Sequence, residues 1–275
     1  MDEYWPAFLH SQSEAGISER SGIMGWSAAQ YAKFLDDRTR PARDLLSAVP
    51  LSAPSHVVDL GSGPGNSTAL LVQRFPDAQV LGIDSDADMI RTARGALSDC
   101  HFELADATDW HPDAPPDLIF ANASLQWLPD HDRLIPRLIG LLRPGGVLAV
   151  QMPDNLSEPS HIAMRNVASL PEWAATLAGP AERRQPMIQP AQLHALLRPL
   201  CSRVEIWRTT YYHELIGADP VVEWFRGSAL RPYLECLDDG QQQRFLDAYR
   251  QQIAASYPSV DGRVLLPFPR YFFVA

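Results

Sequence analysis

His56-Val57-Val58-Asp59-Leu60-Gly61-Ser62-Gly63-Pro64-Gly65-Asn66-Ser67-Thr68 passes from an apolar, β-branched run through three alternating glycines into a segment that opens with cap-type residues. The first part predicts a buried strand and the last part, continuing through Ala69-Leu70-Leu71-Val72, a helix. Glycines between them let a ligand approach the backbone where a side chain would clash, and a helix N-terminus brings unpaired N–H groups to the same place. The spacing differs from the dinucleotide fingerprint, whose third small residue would fall at Asn66. Asp59, just before the first glycine, would repel a phosphate and suits a ligand with a cationic end.

Outward from this turn, strands and helices alternate. Gln79–Asp84, His101–Asp106, Leu118–Asn122 and Val147–Gln151 predict further strands, with helices over Ala87–Leu97 and Leu134–Leu142. Alternation of this kind implies an open, mostly parallel sheet with helices on both faces and a ligand at the carboxyl ends of its strands. Glu158–Leu200 is helical in pattern and broken by prolines; Arg203–Thr210 predicts a sixth strand, Val221–Tyr257 helices, and Tyr271–Val274 a last strand. A helical insertion between the last two strands is placed to act as a lid.

Composition narrows the function. The 275 residues carry 46% hydrophobic and 20% charged residues, an ordinary globular balance, with a net charge of −10. No basic stripe is present, which argues against tight nucleic-acid binding, and no apolar run is long enough to span a membrane. Cys100, Cys201 and Cys236 make neither a metal spacing nor a disulfide framework, as expected of reduced thiols in a cytoplasmic protein; no metal site is expected.

Val58–Gly65, Asp117–Leu128, Val150–Asn155, Ile206–His213 and Phe268–Arg270, in that order, resemble the trans-aconitate methyltransferase family of class I S-adenosylmethionine-dependent methyltransferases. The likeness runs from about Trp26 to the C-terminus. It implies a Rossmann-like, seven-stranded, mostly parallel α/β sheet with a helical lid, S-adenosyl-L-methionine as cofactor, and methylation of a carboxylate of a small tricarboxylate, trans-aconitate, to its monomethyl ester. The implied organisation is a flexible extension over 1–23, a helical cap over 24–54, a cofactor-binding core over 55–212, a lid over 213–262 and a final core strand over 263–275. Met24 is an alternative start. A monomer or weak homodimer is expected.

The candidate cofactor-binding residues are Asp59, Gly61, Ser62, Gly63, Gly65, Asp84, Ser85, Asp106, Ala107, Asn122 and Trp127. Asp84 lies at the usual offset for an acid that accepts ribose hydroxyls, with N-capping as the competing role. Asp106 and Ala107 match the family's adenine contact; a turn-capping aspartate is the plainer account. Trp127 could face a sulfonium or simply lie in the core. For the substrate, Arg208, Tyr211, Tyr212, Arg231 and Arg270 are the candidates, Arg208 and Arg231 being favoured among the arginines, with Arg226 and Arg38 or Arg40 of the cap as further cations. His213 is expected to pack or hydrogen-bond rather than act as a base. No catalytic acid or base is expected, because a carboxylate with a pKa of roughly 4 is already ionised near neutral pH. Another small acid as acceptor, a nucleotide-dependent oxidoreductase and a non-catalytic cofactor-binding module remain as alternatives.

Overall fold

The computed structural model describes residues 39–182, 186–226 and 228–275. The expected extension over 1–23, the first part of the cap and Arg38 lie outside the described residues. β1 (His56–Leu60), β2 (Gln79–Asp84), β3 (His101–Leu104), β4 (Leu118–Asn122) and β5 (Val147–Pro153) run parallel. With β6 (Glu205–Ile216) and β7 (Arg263–Val274) they form one sheet in the order β3-β2-β1-β4-β5-β7-β6, with β7 antiparallel to both its neighbours. This is the seven-stranded, mostly parallel sheet of the class I methyltransferase fold.

Central strands buried on both faces have no polar side, which is why β5 is buried from Val147 to Met152. Alternate residues serve opposite layers. On one face Val57, Phe120, Ala149 and Phe272 pack against Leu45 and Leu46 of α1 (described over 39–47) and Leu70 and Leu71 of α2 (Asn66–Arg74). On the other, Val58, Ile119, Val150 and Met152 meet Leu134 and Leu138 of α4 (His131–Leu141) and Leu193 and Leu197 of α7 (Pro190–Leu197). Fully burying one such leucine contributes about 1.5–3 kcal/mol relative to exposure. α3 (Ala87–Ala96) follows β2 and is capped by Asp86, whose side chain accepts the Asp88 and Met89 N–H groups.

β6 and β7 are each twelve residues long, well beyond the sequence expectations of 203–210 and 271–274. β5 pairs only with residues 270–274 of β7, so the rest of β6 and β7 leaves the sheet as a two-stranded ribbon. Pro267 and Pro269 lie in that ribbon, where each has a single neighbouring strand and a missing N–H disturbs little. His101–Asp106 likewise shortens to end at Leu104, leaving Asp106 in the turn.

One face of the ribbon, with Leu215, Val264, Leu266 and Phe268, is covered by a helical unit. That unit joins α8 (Asp219–Arg226), α9 (Arg231–Leu234) and α10 (Asp239–Ser256) to α5 (Pro159–Ala168) and α6 (Ala174–Glu182) in one apolar cluster. It is therefore assembled from two segments, one before β6 and one after it, whereas sequence analysis places only the second outside the core.

Candidate active site

The glycine turn is strung between β1 and the end of β2. Gly61, Gly63 and Gly65 have φ of 75°, 54° and 96°, the left-handed region that glycine adopts without strain. The Gly61 and Ser62 N–H groups donate to the Ile83 carbonyl at 2.8 and 2.9 Å, and the Gly63 N–H donates to Asp84 Oδ2 at 2.9 Å. Asp84 Oδ1 accepts the Asp86 N–H at 2.9 Å, so this carboxylate holds the turn as well as standing at the strand end where a ribose acceptor is expected. A Cβ on Gly61 would lie 2.3 Å from Ser124 Cβ, while one on Gly63 would meet nothing within 4 Å. Gly61 is therefore a packing necessity and Gly63 borders open space. α2 starts at Gly65 without a side-chain cap, in contrast to α3.

On the face covered by α1 and α2, a row of buried polar side chains crosses the carboxyl ends of β1, β4 and β5 and the antiparallel β7. Asp59 is 0% exposed; its Oδ2 accepts Ser67 Oγ at 2.8 Å and Thr68 Oγ1 at 2.7 Å, and its Oδ1 is buried without a hydrogen bond. Burial pushes its pKa up to about 6, against the two hydroxyl bonds, with Asp84 adding a smaller like-charge push. Next along the row, Asn122 Oδ1 is likewise buried without a partner, as is Ser62 Oγ beside the turn. Asn122 pairs in register with Gln151, which is 1% exposed. Gln151 Oε1 accepts Arg270 Nη1 at 3.3 Å, and Gln151 Nε2 is buried without an acceptor. Arg270 is 6% exposed and its guanidinium lies 4.5 Å from the Phe268 ring centroid. The row thus offers acceptors at β1 and β4 and donors at β5 and β7. Its acceptor end fits a cationic ligand beside the glycine turn.

The turn after β4 is held tightly. Ser124 Oγ donates to the Leu60 carbonyl at 2.7 Å, and Ala123 has φ 54°. Trp127 closes the 3-10 turn Leu125–Trp127 and is 44% exposed, so the core placement is excluded for it. Asp106 is exposed and its Oδ1 accepts both the N–H and the hydroxyl of Thr108, at 2.8 and 2.7 Å, which holds its pKa below the usual carboxylate range. It is a turn-capping aspartate in this structure. Ala107 is half-buried and its carbonyl accepts Arg137 Nη1 at 3.1 Å; Ser85 is exposed at the end of β2.

The substrate candidates separate. Residue 270 pairs with Thr209 and Phe268 with Tyr211, so Arg270 and Tyr211 share the face of the polar row. Tyr211 is buried and donates to Asp44 Oδ2 at 2.6 Å, and Arg40 lies 5.3 Å from its ring centroid. Burial raises the Tyr211 pKa, the Asp44 bond adds to it, and Arg40 and Arg270 oppose. Arg208 pairs with Tyr271 on the opposite face, where its Nε binds Asp154 Oδ2 at 2.8 Å. Tyr212 is 63% exposed on that face too. Period-two alternation thus puts Arg208 and Tyr212 away from Arg270 and Tyr211. Arg231, at the start of α9, is exposed and paired with Glu235 at 2.6 Å. Arg226 pairs with Glu223 at 3.5 Å. The His213 ring packs at a tilt against Trp224, at 4.6 Å between ring centroids, beside the helical cluster.

Gln151, Ser67 and Thr68 are candidate site residues that sequence reasoning passes over. A lone amide within the apolar run of β5 was the available signal, since a buried amide needs partners.

A family model described as a methyltransferase domain matches residues 57–146, the stretch that holds the glycine turn, Asp84 and Asn122. Among solved structures, the YcgJ protein of Bacillus subtilis superposes with a TM-score of 0.56 at 13% identity, covering 86% of this chain and 97% of that one. Phosphoethanolamine N-methyltransferase 2 of Haemonchus contortus, solved with S-adenosylhomocysteine, gives 0.52 at 14% identity over 87% of this chain and 52% of that one. These likenesses concern the fold. Sequence relatives reach much further. A trans-aconitate 2-methyltransferase of Methylobacterium nodulans is 55% identical over 251 residues, covering 91% of this chain and 97% of the relative. One from Methylobacterium radiotolerans is 53% identical over 253 residues, with 91% and 97% covered, and one from Rhodopseudomonas palustris 52% over 251, with 91% and 98% covered. With about half of the residues identical over nine-tenths of its length, this chain belongs to the trans-aconitate 2-methyltransferase family.

Proposed function

We propose that the protein transfers a methyl group from S-adenosyl-L-methionine to a carboxylate oxygen of trans-aconitate, giving the monomethyl ester. The carrying observation is the polarity of the buried row: unfilled acceptors at β1 and β4, beside the glycine turn, and Gln151 and Arg270 as donors one and two strands further on. A cationic cofactor beside an anionic acceptor matches that order. S-adenosyl-L-methionine, when bound, supplies a methyl group made electrophilic by its sulfonium.

Everything else in the reaction is positioning. Asp59 and Asn122 present acceptors to the cofactor's cationic part, and Asp84 is the ribose acceptor. Gly63 leaves room along the backbone. Arg270, nearly buried and carrying its charge in a low-dielectric position, attracts the acceptor carboxylate into a protein whose net charge is −10. Arg40, across Tyr211 from it, adds a second cation on the same face. No residue need take a proton, since the attacking oxygen is ionised before it arrives. The helical unit serves as a lid that excludes water from the transfer. Among the described residues no helix is long and apolar enough to cross a membrane, and the free cysteines Cys100, Cys201 and Cys236 support a cytoplasmic setting.

The test is turnover with isotope-labelled S-adenosyl-L-methionine against a panel of small mono-, di- and tricarboxylic acids, with the ester identified by mass spectrometry. Labelled trans-aconitate monomethyl ester as the preferred product is expected. Preference for another acid, or no ester at all, refutes the assignment.

A further inference from the structure

We propose that Arg40 of α1 binds a carboxylate of the acceptor other than the one that is methylated, and so sets a preference for a tricarboxylate. The inference rests on the carboxylate-acceptor reading above and names a contact that would give it specificity. Arg40 and Asp44 stand one helical turn apart on α1, a spacing at which opposite charges can meet. They do not pair here. Asp44 Oδ2 accepts the Tyr211 hydroxyl at 2.6 Å instead, and the Arg40 guanidinium lies 5.3 Å from the centroid of the Tyr211 ring. Among the described residues Arg40 has no carboxylate partner.

A cation over a ring face uses none of its N–H donors there, so the Arg40 fork is left for an anion. Its platform is fixed. The Tyr211 ring is buried in the layer that holds Leu45 and Phe272, and its hydroxyl ties β6 to the same helix that carries Arg40. That platform stands at the far end of the polar row. Tyr211 pairs in register with Phe268, and β6 lies two strands, about 10 Å, across the sheet from β5. The acceptors that suit the cofactor are on β1 and β4, further still. A carboxylate held by Arg40 is therefore remote from the transferred methyl group. Charge points the same way: a trianion entering a protein of net charge −10 needs more than one local cation, and Arg40 is exposed with Asp44 engaged by Tyr211.

Arg40→Gln and Arg40→Lys test this. Each is assayed for kcat and KM with trans-aconitate, for S-adenosylhomocysteine affinity by calorimetry, and for inhibition by mesaconate, itaconate and cis-glutaconate, each of which is trans-aconitate less one carboxyl group. Arg40→Gln is expected to raise KM by about thirtyfold with kcat changed by less than about threefold, because a contact remote from the reacting atoms is made equally in ground and transition states. Arg40→Lys keeps the charge and loses the fork, and about a fivefold rise in KM is expected. S-adenosylhomocysteine affinity should stay within about twofold of wild type in both, which also reports that they fold. One of the three dicarboxylates lacks the group that Arg40 holds. Its inhibition constant should be unchanged by Arg40→Gln, while the other two weaken about as much as trans-aconitate does. Equal weakening of all four acids overturns the proposal, since it marks a general effect of charge. So does a KM for trans-aconitate that Arg40→Gln leaves at the wild-type value, or a parallel loss of S-adenosylhomocysteine affinity, which marks a structural residue. Each of these outcomes leaves methylation of trans-aconitate by the wild type standing. A wild-type protein that binds S-adenosylhomocysteine but neither binds nor methylates trans-aconitate overturns the carboxylate reading first, and this role of Arg40 with it.

Discussion

Replacing Asp59 by Asn should make the ligand-free protein more stable and its cofactor complex weaker. Asp59 is buried, accepts two hydroxyl bonds on Oδ2, and has nothing on Oδ1. Its pKa rises from 3.8 to about 6 in the folded chain. The folded state therefore holds this proton more tightly than the unfolded state does, and stability falls as pH rises from about 3.8 to about 6. A difference of about two units corresponds to roughly 3 kcal/mol, of which about half is lost by pH 5 and nearly all by pH 7. Asparagine keeps an oxygen for Ser67 and Thr68 and carries no charge to desolvate. Asp59→Asn should thus raise Tm by several degrees at pH 7.5, by about 2–4 °C per kcal/mol for a chain of this size, with a smaller gain at pH 5. Titration with S-adenosylhomocysteine should show the opposite sign, a loss of about 10–100-fold, because the acceptor of a charged hydrogen bond is gone. Thermal unfolding without ligand at both pH values, with calorimetry at pH 7.5, reads both effects. A variant that is less stable at pH 7.5 and binds normally would show that Asp59 serves the fold and not the ligand.

Gly61→Ala combines φ +75° with a 2.3 Å approach to Ser124 Cβ, which the Ser124–Leu60 bond holds in place; a loss of about 2–5 kcal/mol, read by chemical unfolding, is expected. Arg270→Lys, which removes the planar fork, should cut kcat/KM by about tenfold or more, whereas Arg208→Lys, on the other face beside Asp154, should change it by less than about threefold; equal effects in steady-state kinetics would undo the assignment of faces. Tyr211→Phe breaks the 2.6 Å bond to Asp44, and since Asp44 is half-exposed and can rehydrate, a loss of about 1 kcal/mol in urea unfolding is expected.

Local sequence carried the strand–glycine–helix unit and the parallel half of the sheet, because there each strand is a short apolar run and each turn has its own punctuation. Asp59 was legible for the same reason: an acid within an apolar run, next to a glycine turn, needs an explanation. Long-range arrangement was harder to read. Tyr212, Glu214 and Ile216 look polar or exposed in isolation, and Pro267 and Pro269 argue against a strand, so the ribbon of β6 and β7 was cut short at both strands. The joining of α5 and α6 to α8, α9 and α10 depends on pairings across many residues that no local pattern records. The separation of Arg208 from Arg270 follows from simple alternation once the register is known, but register is a property of two strands together. Asp106 illustrates a different difficulty, since the same carboxylate suits a turn cap and a ligand equally well by sequence.

Strand order also has a consequence for synthesis. β7, which comes after every other element, lies between β5 and β6, and Ala275 exchanges backbone bonds with Leu148. While the chain emerges from the ribosome, β1 to β5 can assemble as soon as residue 153 is out, but β5 then presents an open edge that is apolar at every buried position except Gln151. That edge stays open for more than a hundred further residues, at a translation rate of about 5–20 residues per second. Several seconds of exposure follow in every round of synthesis, and truncation before Arg263 would make the exposure permanent. The stretch from Arg263 onward works as a closing zip for the whole sheet, and a nascent chain stalled short of it is the form most prone to pair edge to edge with its neighbours.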